Sequence, residues 1–444
     1  MTVETRHDRE LVAPARTTEV WAGCAHTLTR AEEVLVASAP FQRLRRLRQM
    51  GLAFHAWPNA ENTRASHSFG VAYWAARYLD ALRRRPDAAT RAGLAAAEPE
   101  LDGLSLDVVL RLFGLLHDID LLPLGHTLRY QSGLFPEAPG RPRLWGCVDA
   151  VTSPMPAFGA HLAAAAGILA DDGAALPAEL VNSGLGADLV DFALRDSFAI
   201  ARPQVFPAGL EEGLRLVETD GGWGLALDVT DPRTAPARVA LADDLYRARF
   251  EVFAASVYHP VKLAADAMVD LALRRLGPDA CRALLPESLL MTIGDDELLD
   301  RLAGEPIVAA LRAGSLHEEA WRTADLAAFR RRPGAERALA LDPAWRGEAE
   351  TALAAHLRCA GEGDVIVAVS APTMQAKPAD ARFAGAGNLV FPLAGAPAPS
   401  FEVAAADTAG RYEGLWSLRV YVSARQRAHA GEVAAAAEAL FGAP

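Results

Sequence analysis

The sequence predicts a mostly α protein, a helical core with a smaller α+β lobe at the C-terminus. Three observations carry this. From Ala31 to about Arg331, apolar residues recur at helical spacing, with Pro and Gly between the runs. After Arg332 the texture changes: Asp364–Val369, Asn388–Phe391 and Leu418–Val422 are short runs with strand character. No uninterrupted apolar stretch reaches the roughly 18 residues that a membrane-spanning helix needs. The division that follows is a polar tail over 1–30, a helical domain over 31–331 and an α+β lobe over 332–444.

Phe41, Leu44, Leu47 and Met50 recur at a spacing of three and predict one face of a first helix, ended by Gly51 as a C-cap. Arg43, Arg45, Arg46 and Arg48 take the other positions and read as its solvated side. Residues 52–62 read as a loop, with turn chemistry at Trp57-Pro58-Asn59. A second helix starts near Thr63 and runs to about Arg85, where Pro86 stops it. A third covers 105–119, and its run from Val108 to Leu116 is apolar except for Arg111. Residues 120–158 are proline-rich and read as loop. Helices are predicted over about 159–170 and 187–199, and a hairpin or irregular excursion within 203–237. A long helix over about 241–276 is predicted to end at Gly277-Pro278. Shorter ones follow over about 295–304 and 316–331, and a closing helix over about 427–441.

Charge and cysteine usage narrow the function. The net charge of −12 argues against broad nucleic-acid binding, while leaving room for a local basic pocket for a phosphorylated small molecule. Cys24, Cys147, Cys281 and Cys359 are scattered with no Cys-x-x-Cys, which fits a reducing compartment and argues against a zinc–cysteine site. Residues 1–10 are charged and lack the apolar core of a secretory signal. The expectation is a cytoplasmic protein with no membrane partner.

His117-Asp118 closes the apolar run of the third helix. Burying an imidazole beside a carboxylate is costly without a partner. A divalent metal takes both; a helix C-terminus also favours His, so the pair alone leaves two readings. Arg64 and His67 lie one turn apart at the start of the second helix. They suit a phosphate oxygen and a metal, or simply a helix start with a satisfied His. On the helix over 187–199, positions 188, 191, 192 and 195 share a face. Asp191 and Arg195 can pair at i, i+4, whereas Asp188 lacks such a local role and is the better ligand candidate.

The order His67 … His117-Asp118 … Asp188 resembles the HD superfamily of metal-dependent phosphohydrolases. More narrowly it is similar to the deoxynucleoside triphosphate triphosphohydrolases. Phe41–Gly51, Thr63–Val71, Leu116–His126 and Gly186–Ser197 carry the match, with Arg249 … Tyr258-His259 and Ser417–Val422 as later elements. The resemblance implies His67, His117, Asp118 and Asp188 as ligands of a divalent ion among Mn, Fe, Mg, Co, Ni and Zn. It implies Arg64 and Arg249 as phosphate contacts, Gln49 and Asp196 as holders of the sugar 3′-hydroxyl, and His126 as a pocket histidine. It also implies a homo-oligomer and a nucleotide or other phosphorylated small molecule as substrate.

The sequence departs from that group just beyond the metal pair. Leu121 stands where the group has a second loop histidine, and Arg129 where it often has Asp. Leu189 and Phe192 replace a phosphate-binding Lys and a Tyr. His161 is the only candidate for the group's His-Glu catalytic pair. Asp120, beside the site, reads as a second-metal ligand, a replacement base or a helix-end charge. These residues are compatible with two functions. One is hydrolysis of a (deoxy)nucleoside triphosphate by metal-activated water. The other is a catalytically weakened module that binds metal and nucleotide for regulation or sensing.

Overall fold

The computed structural model describes residues 6–442 apart from 22, 126, 129–133, 137, 172–174, 203–208, 220, 358–360, 362, 371–381, 385–389 and 393–413. The described residues among the first 30 do not form a tail. Helix α1 (Arg6–Val12) leads into a hairpin of β1 (Pro14–Trp21) and β2 (Cys24–Thr29), turned at Gly23 with φ of +75°. One side of this ribbon is solvated, which accounts for its polar texture; Leu11 and Leu28 are fully buried.

Thr29 then closes a capping box with Glu32 and starts α2 (Arg30–Ala37). Ser38 ends that helix and caps α3 (Ala39–Arg43). A 3₁₀ turn over Leu44–Arg46 and an extended Leu47 follow, so the predicted single helix is broken. Phe41, Leu44, Leu47 and Met50 are nonetheless all buried. Arg43 departs furthest from the expected solvated face, being only 1% exposed. Its guanidinium donates to the carbonyls of Ile119 at 3.0 Å, Leu121 at 2.7 Å and Leu290 at 3.3 Å. Burial is tolerated because the turn after His117-Asp118 supplies carbonyl acceptors.

Thr63 caps α4 (Arg64–Arg84) by accepting from the Ser66 N–H, and the chain leaves the helix at Arg85, before Pro86. Then come α5 (Ala88–Glu100), α6 (Leu106–Leu116), α7 (Pro142–Asp149), α8 (Phe158–Asp171), α9 (Leu176–Asn182) and α10 (Ala187–Ala199). The two-turn α7 was hidden among prolines because Pro142 occupies its first turn, where proline is tolerated. Helix α4 packs between α6 and α10, and α6 packs on α8. Gly114 permits a close approach of α6 to α4: a Cβ there would lie 3.0 Å from the Ala72 Cα.

A short α11 (Leu210–Gly213) precedes the hairpin of β3 (Leu214–Thr219) and β4 (Gly222–Asp228). The long helix is two, α12 (Ala235–Val252) and α13 (Pro260–Leu284), joined through a π turn over Phe253–Val257. Pro260 has no N–H to continue the earlier helix and begins the later one. Gly277, with φ of +75°, kinks α13 where the sequence predicts its end.

The chain continues through α14 (Glu287–Leu290), α15 (Asp295–Arg301) and α16 (Pro306–Arg312) to β5 (Glu318–Thr323), a strand where a helix over 316–331 was expected. Then follow α17 (Leu326–Phe329), α18 (Ala335–Leu339), α19 (Pro343–Ala354), β6 (Val365–Val369), β7 (Arg382–Ala384), β8 (Val390–Pro392), β9 (Leu418–Val422) and α20 (Ala430–Phe441). Strand β5 is the half-exposed edge of a β5-β9-β6 sheet, and its pairing with β9 overrides a weak local preference. Strand β7 pairs parallel with β4 in a β3-β4-β7-β8 sheet. Both sheets join segments from either side of residue 332, so the expected boundary cuts through sheets rather than between them.

Among the described residues no helix is long and apolar enough to cross a membrane. Cys24, Cys147 and Cys281 are free thiols, and Cys359 lies outside the described residues.

Candidate metal centre

Three helix ends converge. The first turn of α4 brings Arg64 and His67, the end of α6 brings His117 and Asp118, and the first turn of α10 brings Asp188. One donor atom from each of His67, His117 and Asp118 lies within 4.8 Å of the other two. The two imidazole rings stand edge to face, 5.0 Å apart. Asp188 Oδ1 joins them at 3.0 Å from His67 Nε2.

The hydrogen bonds around the rings fix which nitrogen faces the cluster. His117 Nδ1 lies 2.7 Å from the Gly114 carbonyl, which can only accept, so this nitrogen carries the proton. In the neutral ring Nε2 then carries the lone pair. It is buried, has no hydrogen-bond partner and stands 3.5 Å from Asp118 Oδ2. His67 Nδ1 meets Asp191 Oδ2 at 2.8 Å, which turns its Nε2 toward Asp188 and the cluster. A carboxylate behind a ligating histidine is a common way of orienting the ring. Asp191 is in turn held by Arg195, whose Nε and Nη2 donate at 2.8 and 2.9 Å.

The electrostatics favour a cation here. Burial opposes a charge on His67, but its hydrogen bonds to Asp188 and Asp191 and their charges outweigh that and push its pKa up to about 10. Burial likewise opposes the Asp118 charge, yet Arg64 and the two histidines hold its carboxyl well below the usual carboxylate range. Two imidazole nitrogens with carboxylate oxygens are a donor set for a divalent transition metal. The orphaned Nε2 of His117 is the observation that makes these residues fit one.

Around the cluster the expected residues divide. Arg64 donates from Nη1 to Asp118 Oδ2 at 2.7 Å and from Nη2 to the Gln49 carbonyl at 3.0 Å, linking the cluster to Gln49. Asp196 lies two turns along α10 from Asp188, buried, with Asn62 Nδ2 donating to its Oδ1 at 2.8 Å. Arg249, buried on α12, stacks over the Phe253 ring at 4.9 Å, and Phe253 packs on Phe192.

Two acid/base candidates sit in structural roles. Asp120 is gripped by Arg141, whose Nη2 and Nε donate to its two oxygens at 2.6 and 3.1 Å, so it is not among the clustered donors. His161 accepts from the Ser105 N–H at 3.1 Å, at the start of α6, while His117 ends that helix. At 1.5 Å per residue those ends are roughly 16 Å apart. His126 and Arg129 lie outside the described residues. The residue missed in the sequence is Asp191, assigned there only to Arg195. Its place one turn after Asp188 was the available signal.

Two expected outcomes follow from this packing. A Cβ on Gly70 would lie 1.7 Å from Asp191 Oδ1 and 2.8 Å from Arg195 Nη2. Gly70→Ala should therefore displace the pair that orients His67, costing about 1–3 kcal/mol of stability by overpacking and weakening metal binding. A melting curve and a metal titration both unchanged would show that the pair has room to move.

Asp196 gives the second. Burial pushes its carboxyl up to about 6 despite His67 and Asn62. Above that pH the fold carries a buried charge that the unfolded chain solvates. Between about pH 6 and 4 the folded protein binds a proton that the unfolded chain does not, so this group raises stability as pH falls. Asp196→Asn should raise the melting temperature at pH 8, by the equivalent of about 3 kcal/mol. It should also remove this part of the pH dependence. No gain at pH 8 would contradict it.

No family model matches the chain. It is 25% identical over 244 residues to an uncharacterized protein of Methanocaldococcus jannaschii, covering 54% of this chain and 46% of that one. It is 31% identical over 93 residues to the deoxynucleoside triphosphate triphosphohydrolase SAMHD1 of Gallus gallus, 21% of this chain and 13% of that protein. A Mycoplasma pneumoniae uncharacterized protein is 28% identical over 179 residues, 37% and 38% of the two chains. The chain thus spans less than half the length of the curated relatives it matches. Its fold is that of a phosphohydrolase from Bacteroides thetaiotaomicron, with a TM-score of 0.63 at 15% identity over 88% of this chain and 95% of that one.

Proposed function

We propose that this chain is a metal-dependent phosphohydrolase of the HD type acting on a nucleotide, most closely a (deoxy)nucleoside triphosphate. The observation that carries this reading is the buried, unpartnered Nε2 of His117 beside His67 and Asp118. His67, His117, Asp118 and Asp188 would hold the ion, which supplies Lewis-acid activation of water and of a phosphoryl oxygen.

The remaining roles belong to the chain itself. Asp191 holds the His67 ring so that Nε2 faces the ion. Arg64 balances Asp118 and lies beside it, where its planar fork can also take a phosphate oxygen. Arg249 is the second phosphate contact. Gln49 and Asp196 hold the sugar. His126 is the acid/base candidate left by the placements of Asp120 and His161. A cytoplasmic homo-oligomer completes the proposal.

Asp120 and His161 also favour a second reading, since their partners remove two acid/base candidates. General acid/base groups are worth about 10²–10⁴ in rate. A chain without them could bind metal and nucleotide as a sensing module. The test is a panel of nucleotides with purified protein and Mn²⁺. Release of phosphate or triphosphate from a member of the panel supports the hydrolase. Tight binding without turnover supports the module, and neither binding nor turnover overturns both.

A further inference from the structure

Asp118 lies beyond the regular part of α6. The helix ends at Leu116, and the His117 N–H still reaches back to the Phe113 carbonyl at 3.0 Å. Then the chain turns: the Ile119 N–H donates to the Leu116 carbonyl at 2.8 Å, and the Leu121 N–H to the Asp118 carbonyl at 3.2 Å. Helix ends fray more readily than helix interiors. The place of the Asp118 carboxylate therefore depends on what grips the residues just after it.

Two arginines from other parts of the chain grip them. Arg43 of α3 donates to the carbonyls of Ile119 and Leu121. Arg141 takes the side chain between these two, with Nη2 and Nε donating to the two oxygens of Asp120 at 2.6 and 3.1 Å. Its Nη1 donates to the Leu169 carbonyl of α8 at 3.1 Å, so Arg141 ties the turn to that helix. A two-pronged contact between a guanidinium and a carboxylate fixes direction as well as distance.

Arg141 makes this contact from an unfavourable backbone. It sits in the left-handed region, with φ of +47° and ψ of +61°, directly before Pro142. A side chain crowds the following carbonyl there, and a proline ring restricts the residue before it. Such a conformation persists where the surroundings hold it, and functional sites are where such residues collect. Capping does not account for it: Arg141 precedes α7 but makes no side-chain hydrogen bond to the end of that helix.

We propose that Arg141 is a positioning residue for the metal centre, which through Asp120 fixes the turn that presents Asp118. Arg64 holds the Asp118 carboxylate itself, while Arg43 and Arg141 hold the backbone that follows it. Asp120 is then neither a ligand nor a base but the handle by which the turn is held. The inference rests on the metal-dependent reading above.

The test uses the full chain, stripped of metal and titrated with Co²⁺, whose visible absorption reports its ligands and their geometry. Asp120→Ala combined with Arg141→Met removes the pair together, so neither charge is stranded in the interior. At a temperature where circular dichroism shows this variant folded, it should bind Co²⁺ about tenfold more weakly or worse, with a shifted absorption band. Arg141→Lys keeps a cation opposite Asp120 but loses the two-pronged grip, and should fall between. A lower melting temperature with wild-type Co²⁺ affinity and spectrum would make the pair structural only and overturn the proposal, as would no change in any readout. If the double variant does not fold, Asp120→Asn keeps the shape without the charge and should shift affinity and band in the same direction. Wild-type behaviour of that variant overturns the proposal too. In each of these cases wild type binds Co²⁺ and this inference falls alone. Wild type that retains no Co²⁺ overturns the metal-dependent reading and this inference together.

Discussion

His117→Ala should reduce bound divalent metal and phosphohydrolase activity to the background of the metal-stripped protein, while leaving the fold in place. His117 caps the end of α6, where the helix is held by Val109, Leu112, Phe113 and Leu116 rather than by the imidazole. Its Nδ1 bond goes only to a carbonyl of its own helix, and its Nε2 makes no hydrogen bond. Truncation therefore removes a ligand without stranding another group, which is the condition for a clean test. Metal analysis and a melting curve check it. Full metal content, or robust activity surviving in both His117→Ala and Asp118→Ala, would contradict the mechanism.

Asp191 should give the second large effect, on stability as well as metal. Its carboxylate is fully buried and accepts from both Arg195 and His67. Burial opposes its charge, but Arg195 and His67 hold it below the usual carboxylate range. Asp191→Ala leaves the Arg195 guanidinium inside the protein without its carboxylate, a break that costs about 3–5 kcal/mol. Asp191→Asn keeps the shape and loses the charge. It should lower metal affinity by about 10–100-fold, as for other partners that orient a ligating histidine. Thermal unfolding of the first and metal titration of the second are the measurements. If Asp191→Asn binds metal like wild type, His67 is oriented by something else.

The site was legible where chemistry sits next to a strong local signal. Thr63 and Pro86 frame α4, a breaker-free run frames α10, and a greasy run leads to His117; these three helices deliver the candidate ligands. The sequence could not reveal which groups meet across elements. Arg43 looks like one of four surface arginines, and only the carbonyls of Ile119, Leu121 and Leu290 make its burial tolerable. Asp120 looked like a site acid until Arg141 reached it. Strand β5 looked helical because an edge strand draws its stability from β9, about 100 residues later in the chain. The hairpin over Pro14–Thr29 read as a tail because its outward face is polar.

The most direct test of the metal centre is X-ray absorption on protein loaded with Mn²⁺ or Co²⁺ and freed of excess ion. Two imidazole nitrogens together with carboxylate oxygens around one ion per chain is the predicted result, with one imidazole lost in His117→Ala. An all-oxygen shell, or no ion retained in proportion to the chain, would contradict it.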